Sequence, residues 1–155
     1  MRQPFFHNAG DTDMTFQLKQ LHPHFFGEIT GLDLRQPLDD ETVQAVTSAI
    51  DQHGVLGFRD QHIHEAAQLH FSHHFGQPQR SNTVHREQQA RRLGQEELSD
   101  ISNLDEHGFR MDRSNPRRLY QLTTMLWHTD SSFRNPVGKY TFLCAKKLPA
   151  EGGNT

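Results

Sequence analysis

Polar and apolar residues alternate in two short segments near the start of the chain. Phe16 and Leu18 lie in the first segment, and residues 26–30 form the second. Alternation with a period of two is typical of half-buried strands, and His22-Pro23 between the segments is a turn signal. The pattern therefore predicts two short strands.

Helical spacing follows directly after these strands. Val43, Val46 and Ile50 recur at the intervals that place apolar side chains on one face of a helix. Asp39 is suited to cap the N-terminus of such a helix, and Gly54 is suited to end it. We therefore predict a helix between Asp39 and Gly54.

A strand and a second helix are predicted next. Residues 55–59, with the sequence VLGFR, form a short apolar run typical of a buried strand. The second helix is expected from Ile63 or His64 to Phe75, with Ala67 and Phe71 on its apolar face.

The second half of the chain is more polar, and its pattern is weaker. Residues 80–97 are compatible with a loop or with an exposed helix. We expect a strand at 98–104, a mobile surface excursion at 105–118, an extended segment at 119–133 and a further strand at 138–148.

Composition excludes several classes of function. The net charge of -3 gives no reason to expect a nucleic acid or an acidic membrane as a partner, and no segment is apolar enough to cross a bilayer. The lone Cys144 permits no intrachain disulfide, which fits the cytoplasm. No signal peptide is apparent, and residues 1–14 are expected to be a flexible terminus.

His128 and Asp130 are the first candidates for chemistry. Residues i and i+2 of an extended segment point to the same side, so an imidazole and a carboxylate could bind one metal ion. The spacing alone is weak, because a chain with 12 histidines contains roughly one His-x-Asp by chance. An ordinary loop pair is the competing interpretation.

The neighbouring residues make the motif specific. LWHTDSSF, which contains His128 and Asp130, resembles the iron-binding segment of the taurine dioxygenase and 2,4-dichlorophenoxyacetate dioxygenase family (TauD/TfdA). GEITGLDLRQPL, VLGFRDQ with the later HFGQPQ, and KKLPAEGGNT resemble other segments of that family, in the family's order. The resemblance extends from about Leu21 to the last residue.

This resemblance implies a fold and a reaction. The fold is mostly β with flanking helices (α+β), a double-stranded β-helix or jelly roll that is incomplete here, with residues 1–155 as the N-terminal part of one domain. The implied cofactor is Fe(II), with 2-oxoglutarate and O₂ as cosubstrates. Decarboxylation of 2-oxoglutarate to succinate and CO₂ accompanies hydroxylation of a substrate.

The resemblance also assigns roles to individual residues. His128 and Asp130 match the first two iron ligands, and Thr155 matches a threonine that binds a 2-oxoglutarate carboxylate. Ser81 and Thr124 align loosely with substrate-contacting positions. A small organic anion is the expected partner, with an aryloxyalkanoate preferred and a sulfonate second. A homo-oligomer is left open.

Two family residues have no match. The family's distal histidine and its arginine for 2-oxoglutarate lie downstream of GGNT, whereas the other histidines here precede His128 and no arginine follows Arg134. The chain is therefore expected to be part of a longer protein of roughly 280–300 residues, the length that the resemblance implies. A non-catalytic fragment and a His-rich metal-buffering protein are the alternatives.

Several other residues have simpler interpretations. His62-x-His64 is expected in an exposed turn and His73-His74 at a helix surface, rather than at a metal. Arg117-Arg118 is expected to be a solvated basic pair. Trp127 is expected to pack against the protein, with stacking on a substrate as the alternative. Cys144 is expected to be an inert buried thiol in a strand.

Overall fold

The computed structural model describes residues 16–80, 93–122 and 126–151. The described residues cluster into two compact units, unit 1 within Met1–Ile63 and unit 2 within His64–Thr155. The elements, in chain order, are β1 (Gln17–Gln20), β2 (Gly27–Thr30), α1 (Asp40–His53), β3 (Leu56–Phe58), α2 (Glu65–His73) and α3 (Pro116–Leu122).

Unit 1 contains a three-stranded mixed sheet with the order β1-β2-β3. β1 pairs antiparallel with β2, with Gln17 opposite Thr30. β2 pairs parallel with β3, with Gly27 opposite Leu56, and α1 forms the crossover between them. The two predicted early strands and the third strand are therefore confirmed.

The core of unit 1 lies between the sheet and α1. Ile29 in β2 is only 1% exposed, and Val46 and Ala49 of α1 are also buried. A side chain at Gly27 would crowd three neighbours, because its Cβ would lie 2.8 Å from Cδ1 of Leu18, 3.1 Å from Cδ2 of Leu56 and 3.2 Å from Cδ2 of His53. The glycine thus allows the close approach that this core requires.

The predicted caps of α1 are confirmed. Oδ1 of Asp39 accepts a hydrogen bond of 2.8 Å from the backbone N–H of Thr42, and this bonding lowers the pKa of Asp39. Gly54, with φ of 70°, donates its N–H to the carbonyl of Ile50. The buried side of the helix differs from the prediction, because it follows Thr42, Val46, Ala49 and His53.

β3 was predicted to be buried, and this was wrong. Residues Leu56–Phe58 are half-buried, and Val55 before them is 48% exposed. The strand lies at the edge of the three-stranded sheet that the structure describes, so one of its sides lacks a neighbouring strand.

In unit 2, α2 forms one side of an aromatic cluster. His64 caps the helix, and its Nδ1 accepts from the N–H of Ala67 at 3.2 Å. Phe71 is buried, and its ring contacts Phe75 and Phe142. The helix ends at His73, two residues before the predicted Phe75. His73 is exposed and His62 and His64 lie before the helix, as predicted.

Arg117 organises the segment between 98 and 122. Its side chain is 4% exposed, and its Nη2 lies 3.0 Å from Oδ2 of Asp100. Nη1 donates to the carbonyl of Leu104, and Nη2 also donates to the carbonyl of Asp100. The prediction of a solvated Arg117 was therefore wrong, because a buried aspartate and two carbonyls replace water around the guanidinium. We refer to Arg117, Asp100 and Leu104 as the Arg117 hub.

The three β segments predicted in the second half are not strands where the structure describes them. In the described residues of unit 2, β pairing is limited to one bridge between Leu104 and Arg110. Residues 119–122 belong to α3, and residues 98–104 and 138–148 have no ladder. A strand requires a hydrogen-bonding neighbour, and the apolar pattern alone does not supply one.

The mixed content agrees with the predicted α+β class, while the jelly roll stays a prediction. Cys144 is half-buried and lies outside any described strand, contrary to the prediction for it. The helices in the described ranges are all too short or too polar to cross a bilayer.

Candidate metal centre

His128 and Asp130 lie in a non-helical stretch that begins at Leu126. Nε2 of His128 is 3.2 Å from Oδ1 of Asp130. The two side chains are 46% and 52% exposed, so the protein does not enclose either of them. The structure thus brings together the two side chains that the sequence selected, and it leaves both open to solvent.

A backbone carbonyl orients the ring of His128. Nδ1 lies 2.7 Å from the carbonyl oxygen of Leu126. A carbonyl oxygen only accepts, so Nδ1 carries the proton in this contact. In the neutral ring Nε2 then carries the lone pair, and Nε2 is the nitrogen that faces Asp130. A backbone carbonyl on the second nitrogen is a common support for metal-binding histidines.

The donor atoms of the pair fit a metal ion. A nitrogen lone pair and a carboxylate oxygen at 3.2 Å repel each other unless a proton or a cation lies between them. Two metal–ligand bonds of about 2.1 Å that meet at a right angle separate their donor atoms by about 3.0 Å. Imidazole and carboxylate are also two of the three ligands of the facial triad that holds non-haem iron.

A third ligand is not provided by the residues that the structure describes. Within residues 16–80, 93–122 and 126–151, no group of three or more His, Cys, Asp or Glu side chains is arranged to hold a metal. The described geometry therefore accounts for two ligands of a three-ligand triad.

Asp130 is followed by a tight turn and not by an extended segment, so the extended prediction was wrong here as well. Ser131 has a φ of 53°, in the left-handed region. The N–H of Arg134 donates to the carbonyl of Ser131 at 3.1 Å. Thr129 Oγ1 donates to Oγ of Ser132 at 3.0 Å. Local hydrogen bonds, and not a strand, shape the backbone around His128 and Asp130, the two candidate metal ligands, which we refer to as the metal pair.

Two side-chain hydrogen bonds tie this turn to the chain after α2. Nε2 of Gln79 donates to the carbonyl of Pro136 at 2.9 Å. Nη2 of Arg134 donates to the carbonyl of Arg80 at 2.7 Å. These contacts could not be predicted from the sequence, because Gln79 and Pro136 are 57 positions apart, Arg134 and Arg80 are 54 apart, and no motif links them.

The other predicted site residues cannot be placed, and the residue before His128 lies in a different environment from the one predicted. Ser81, Thr124 and Thr155 lie outside the described residues, as do residues 1–14. Trp127 was predicted to pack against the protein, and this was wrong, because its side chain is fully exposed at 105%.

A protein-family model matches residues 17–155 of the chain, and its description is "Taurine catabolism dioxygenase TauD, TfdA family". The match includes all of the described residues except Phe16. It covers much more than half of the chain, and it contains the metal pair.

Individual relatives agree with this match. The chain is 34% identical over 142 residues to the alpha-ketoglutarate-dependent 2,4-dichlorophenoxyacetate dioxygenase of Burkholderia sp. (strain RASC), covering 92% of this chain and 48% of that protein. It is 33% identical to the alpha-ketoglutarate-dependent sulfate ester dioxygenase of Pseudomonas putida, covering 83% of this chain and 36% of that protein. The chain spans about half the length of the relatives that are 2,4-dichlorophenoxyacetate dioxygenases, and less of the others.

A solved structure is also similar. The crystal structure of AAD-2 in complex with Mn(II) and N-oxalylglycine matches with a TM-score of 0.64 and 38% sequence identity. The match covers 78% of this chain and 38% of that one.

Proposed function

The chain belongs to the TauD/TfdA family of dioxygenases, and on that basis we propose that it supplies two iron ligands, His128 and Asp130, to an Fe(II)- and 2-oxoglutarate-dependent dioxygenase. The observation that supports this most directly is the 3.2 Å distance between Nε2 of His128 and Oδ1 of Asp130, with Nδ1 held by a carbonyl. Because the chain spans about half of its relatives, the activity is proposed for the full-length protein.

Iron, when bound, would supply the oxygen chemistry that couples decarboxylation of 2-oxoglutarate to hydroxylation of a substrate. The described residues have a simpler task. His128 presents a lone pair in a fixed direction, because Leu126 holds the opposite nitrogen. Asp130 adds a negative charge that partly balances the charge of a divalent ion.

The residues that complete the site stay predictions. Thr155 is expected to donate its hydroxyl proton to a carboxylate oxygen of 2-oxoglutarate. No residue of the sequence matches the distal histidine or the arginine of the family pattern, so turnover needs both from outside this sequence. A bidentate arginine is the strongest anchor for the second carboxylate.

The proposed substrate is a small organic anion. Two similar proteins are named for 2,4-dichlorophenoxyacetate and for a sulfate ester, which both carry an anionic group. We place an aryloxyalkanoate first and a sulfonate or similar sulfur oxyanion second. Ser81 and Thr124 are proposed as substrate contacts, and the cytoplasm is the proposed location.

The test is an anaerobic titration of the full-length protein with Fe(II) and 2-oxoglutarate. We expect a visible charge-transfer band that His128→Ala removes and that the exposed-surface variant His107→Ala retains. Admission of O₂ with a panel of aryloxyalkanoates and sulfonates should then release succinate. Absence of the band from the unmodified protein, with no succinate for any anion, would refute the proposal.

A further inference from the structure

We infer that Gln79 and Arg134 are positioning residues for the metal pair, acting through the turn that follows Asp130. This inference rests on the proposed function, since it assumes that His128 and Asp130 bind a metal ion. The two side chains and the two carbonyls that they reach, those of Pro136 and Arg80, are called the clamp below.

The clamp is reciprocal. Gln79 donates across to the carbonyl of Pro136, and Arg134 donates back to the carbonyl of Arg80. Residues 79–80 and residues 134–136 therefore each contribute one donor and one acceptor. Two such bonds restrain both the rotation of the turn and its distance from residues 79–80. A single bond would leave the turn free to pivot.

The clamp is connected to Asp130 by a short and stiff path. Arg134 is bonded through its N–H to the carbonyl of Ser131, the residue directly after Asp130. Ser131 has a φ of 53°, which a serine adopts only where its surroundings hold it there. A change in the position of Arg134 is therefore transmitted to the backbone of Asp130 over one turn.

A glycine supports the same turn from its other side. A Cβ placed on Gly138 would lie 3.3 Å from Cβ of Ser131, which is tighter than ordinary contact. The same Cβ would be 3.8 Å from Oε1 of Gln79. Gly138 thus lies close to both Ser131 and Gln79, and a larger residue there would press on the turn.

Arg134 is half-buried, and its Cζ lies 5.9 Å from the ring centre of Phe133. Its Nε is shielded from solvent and has no hydrogen-bond partner among the described residues. A shielded N–H without a partner is uncommon in folded proteins. The bond between Nη2 and the carbonyl of Arg80 fixes the orientation of the guanidinium that leaves Nε in this position.

The experiment measures Mn(II) affinity of the full-length protein by electron paramagnetic resonance. Gln79→Met removes the donor at nearly constant volume, and Arg134→Met removes the guanidinium. Each is expected to weaken Mn(II) binding about 10- to 100-fold, the usual effect of removing a support of a metal ligand. Arg134→Lys, which keeps one charged donor, should recover part of the affinity.

Matched controls make the same chemical changes at exposed positions. Gln52→Met in α1 and Arg113→Met are expected to leave Mn(II) affinity within twofold of the unmodified protein. Urea unfolding of the metal-free proteins accompanies each titration, because a purely structural role would lower stability and leave the affinity of the folded protein unchanged. Gly138→Ala provides an independent disturbance of Ser131 and should also weaken binding.

The outcomes separate this inference from the proposed function. If the unmodified protein binds no Mn(II), the proposed function and the inference both fail. If it binds and both clamp variants bind equally well, the inference alone is overturned. Weakened binding in the clamp variants, with normal binding in the controls, supports it.

Discussion

Arg117 and His128 each lie beside an aspartate, but the protein uses the two pairs differently. The Arg117–Asp100 pair is 4% and 9% exposed, and two backbone carbonyls add to the ion pair. The His128–Asp130 pair is 46% and 52% exposed, and within the described residues Nδ1 of His128 is bonded to the carbonyl of Leu126. The first pair is largely satisfied by protein groups, whereas the second has bonding capacity left over.

The difference separates the structural role of the first pair from the binding role that we propose for the second. Burial removes water from Arg117, so its partners must be internal and the region around it depends on them. Half-exposed side chains contribute little to folding, and their unused lone pairs are available to an ion. Distance to an aspartate alone would have placed both pairs in one class, whereas burial and the hydrogen bonds from other protein groups distinguish them.

The largest effect is expected from Arg117→Met. The change leaves Asp100 buried without its counter-charge, which should lower the free energy of unfolding by about 3–5 kcal/mol. Urea denaturation of the full-length protein measures this. Arg118→Met, next in sequence and half-buried, should cost less than about 1 kcal/mol. Equal losses in the two variants would contradict the assignment of the hub to Arg117.

A second measurement concerns the metal pair. At a Mn(II) concentration 100 times the dissociation constant, binding should raise the free energy of unfolding by about 2.7 kcal/mol. His128→Ala should abolish this gain, yet change the metal-free stability by no more than about 0.5 kcal/mol. A large loss of metal-free stability would show that His128 has a structural role and would remove the contrast with Arg117.

The same substitution in both aspartates sharpens the comparison. Asp100→Asn removes the negative charge from the buried hydrogen bond with Arg117. This should lower the free energy of unfolding by about 1.5–3 kcal/mol. Asp130→Asn should leave metal-free stability within about 0.5 kcal/mol and instead weaken Mn(II) binding. Thermal melts with and without Mn(II) separate these effects. If Asp130→Asn lowered the metal-free stability and Asp100→Asn weakened Mn(II) binding instead, the roles assigned to the two pairs would be reversed.

The smallest effect is a pH dependence at the turn that leads to α3. Hydrogen bonds from Oγ and N–H of Ser114 lower the pKa of Asp112 below its ordinary 3.8. The pKa of Asp112 is lower in the folded state than in the unfolded state. The stability that ionised Asp112 contributes is therefore fully present above pH 3.8 and is lost as the pH falls through the folded pKa. The Ser114 amide resonance should shift in that acidic range. Asp112→Asn should remove the shift, and a shift that persists would contradict this cause.

The sequence predicted unit 1 well because its signals are local. Asp39 and Gly54 lie next to the helix that they limit, and the strands around it are joined by short connections. Alternation found the first two strands, helical spacing found α1 and a short apolar run found β3. Burial of β3 depends on whether a fourth strand adjoins it, and the segment itself does not contain that information.

Unit 2 was harder to predict for a physical reason. The hub depends on Asp100, 17 positions before Arg117, and a charged residue is assigned to the surface unless its partner is known. The apolar run at 138–148 has the composition of a strand, but strand formation depends on a neighbour. His128 and Asp130 were found because their motif is contiguous, whereas the clamp is not.

The exposure of Trp127 has a practical consequence. It is the chain's sole tryptophan, it is fully exposed, and it is covalently joined to His128. Its indole is therefore a native fluorophore at the metal pair, and a paramagnetic ion bound by His128 should quench its emission. Occupancy of the site could then be followed by fluorescence in real time, without a label.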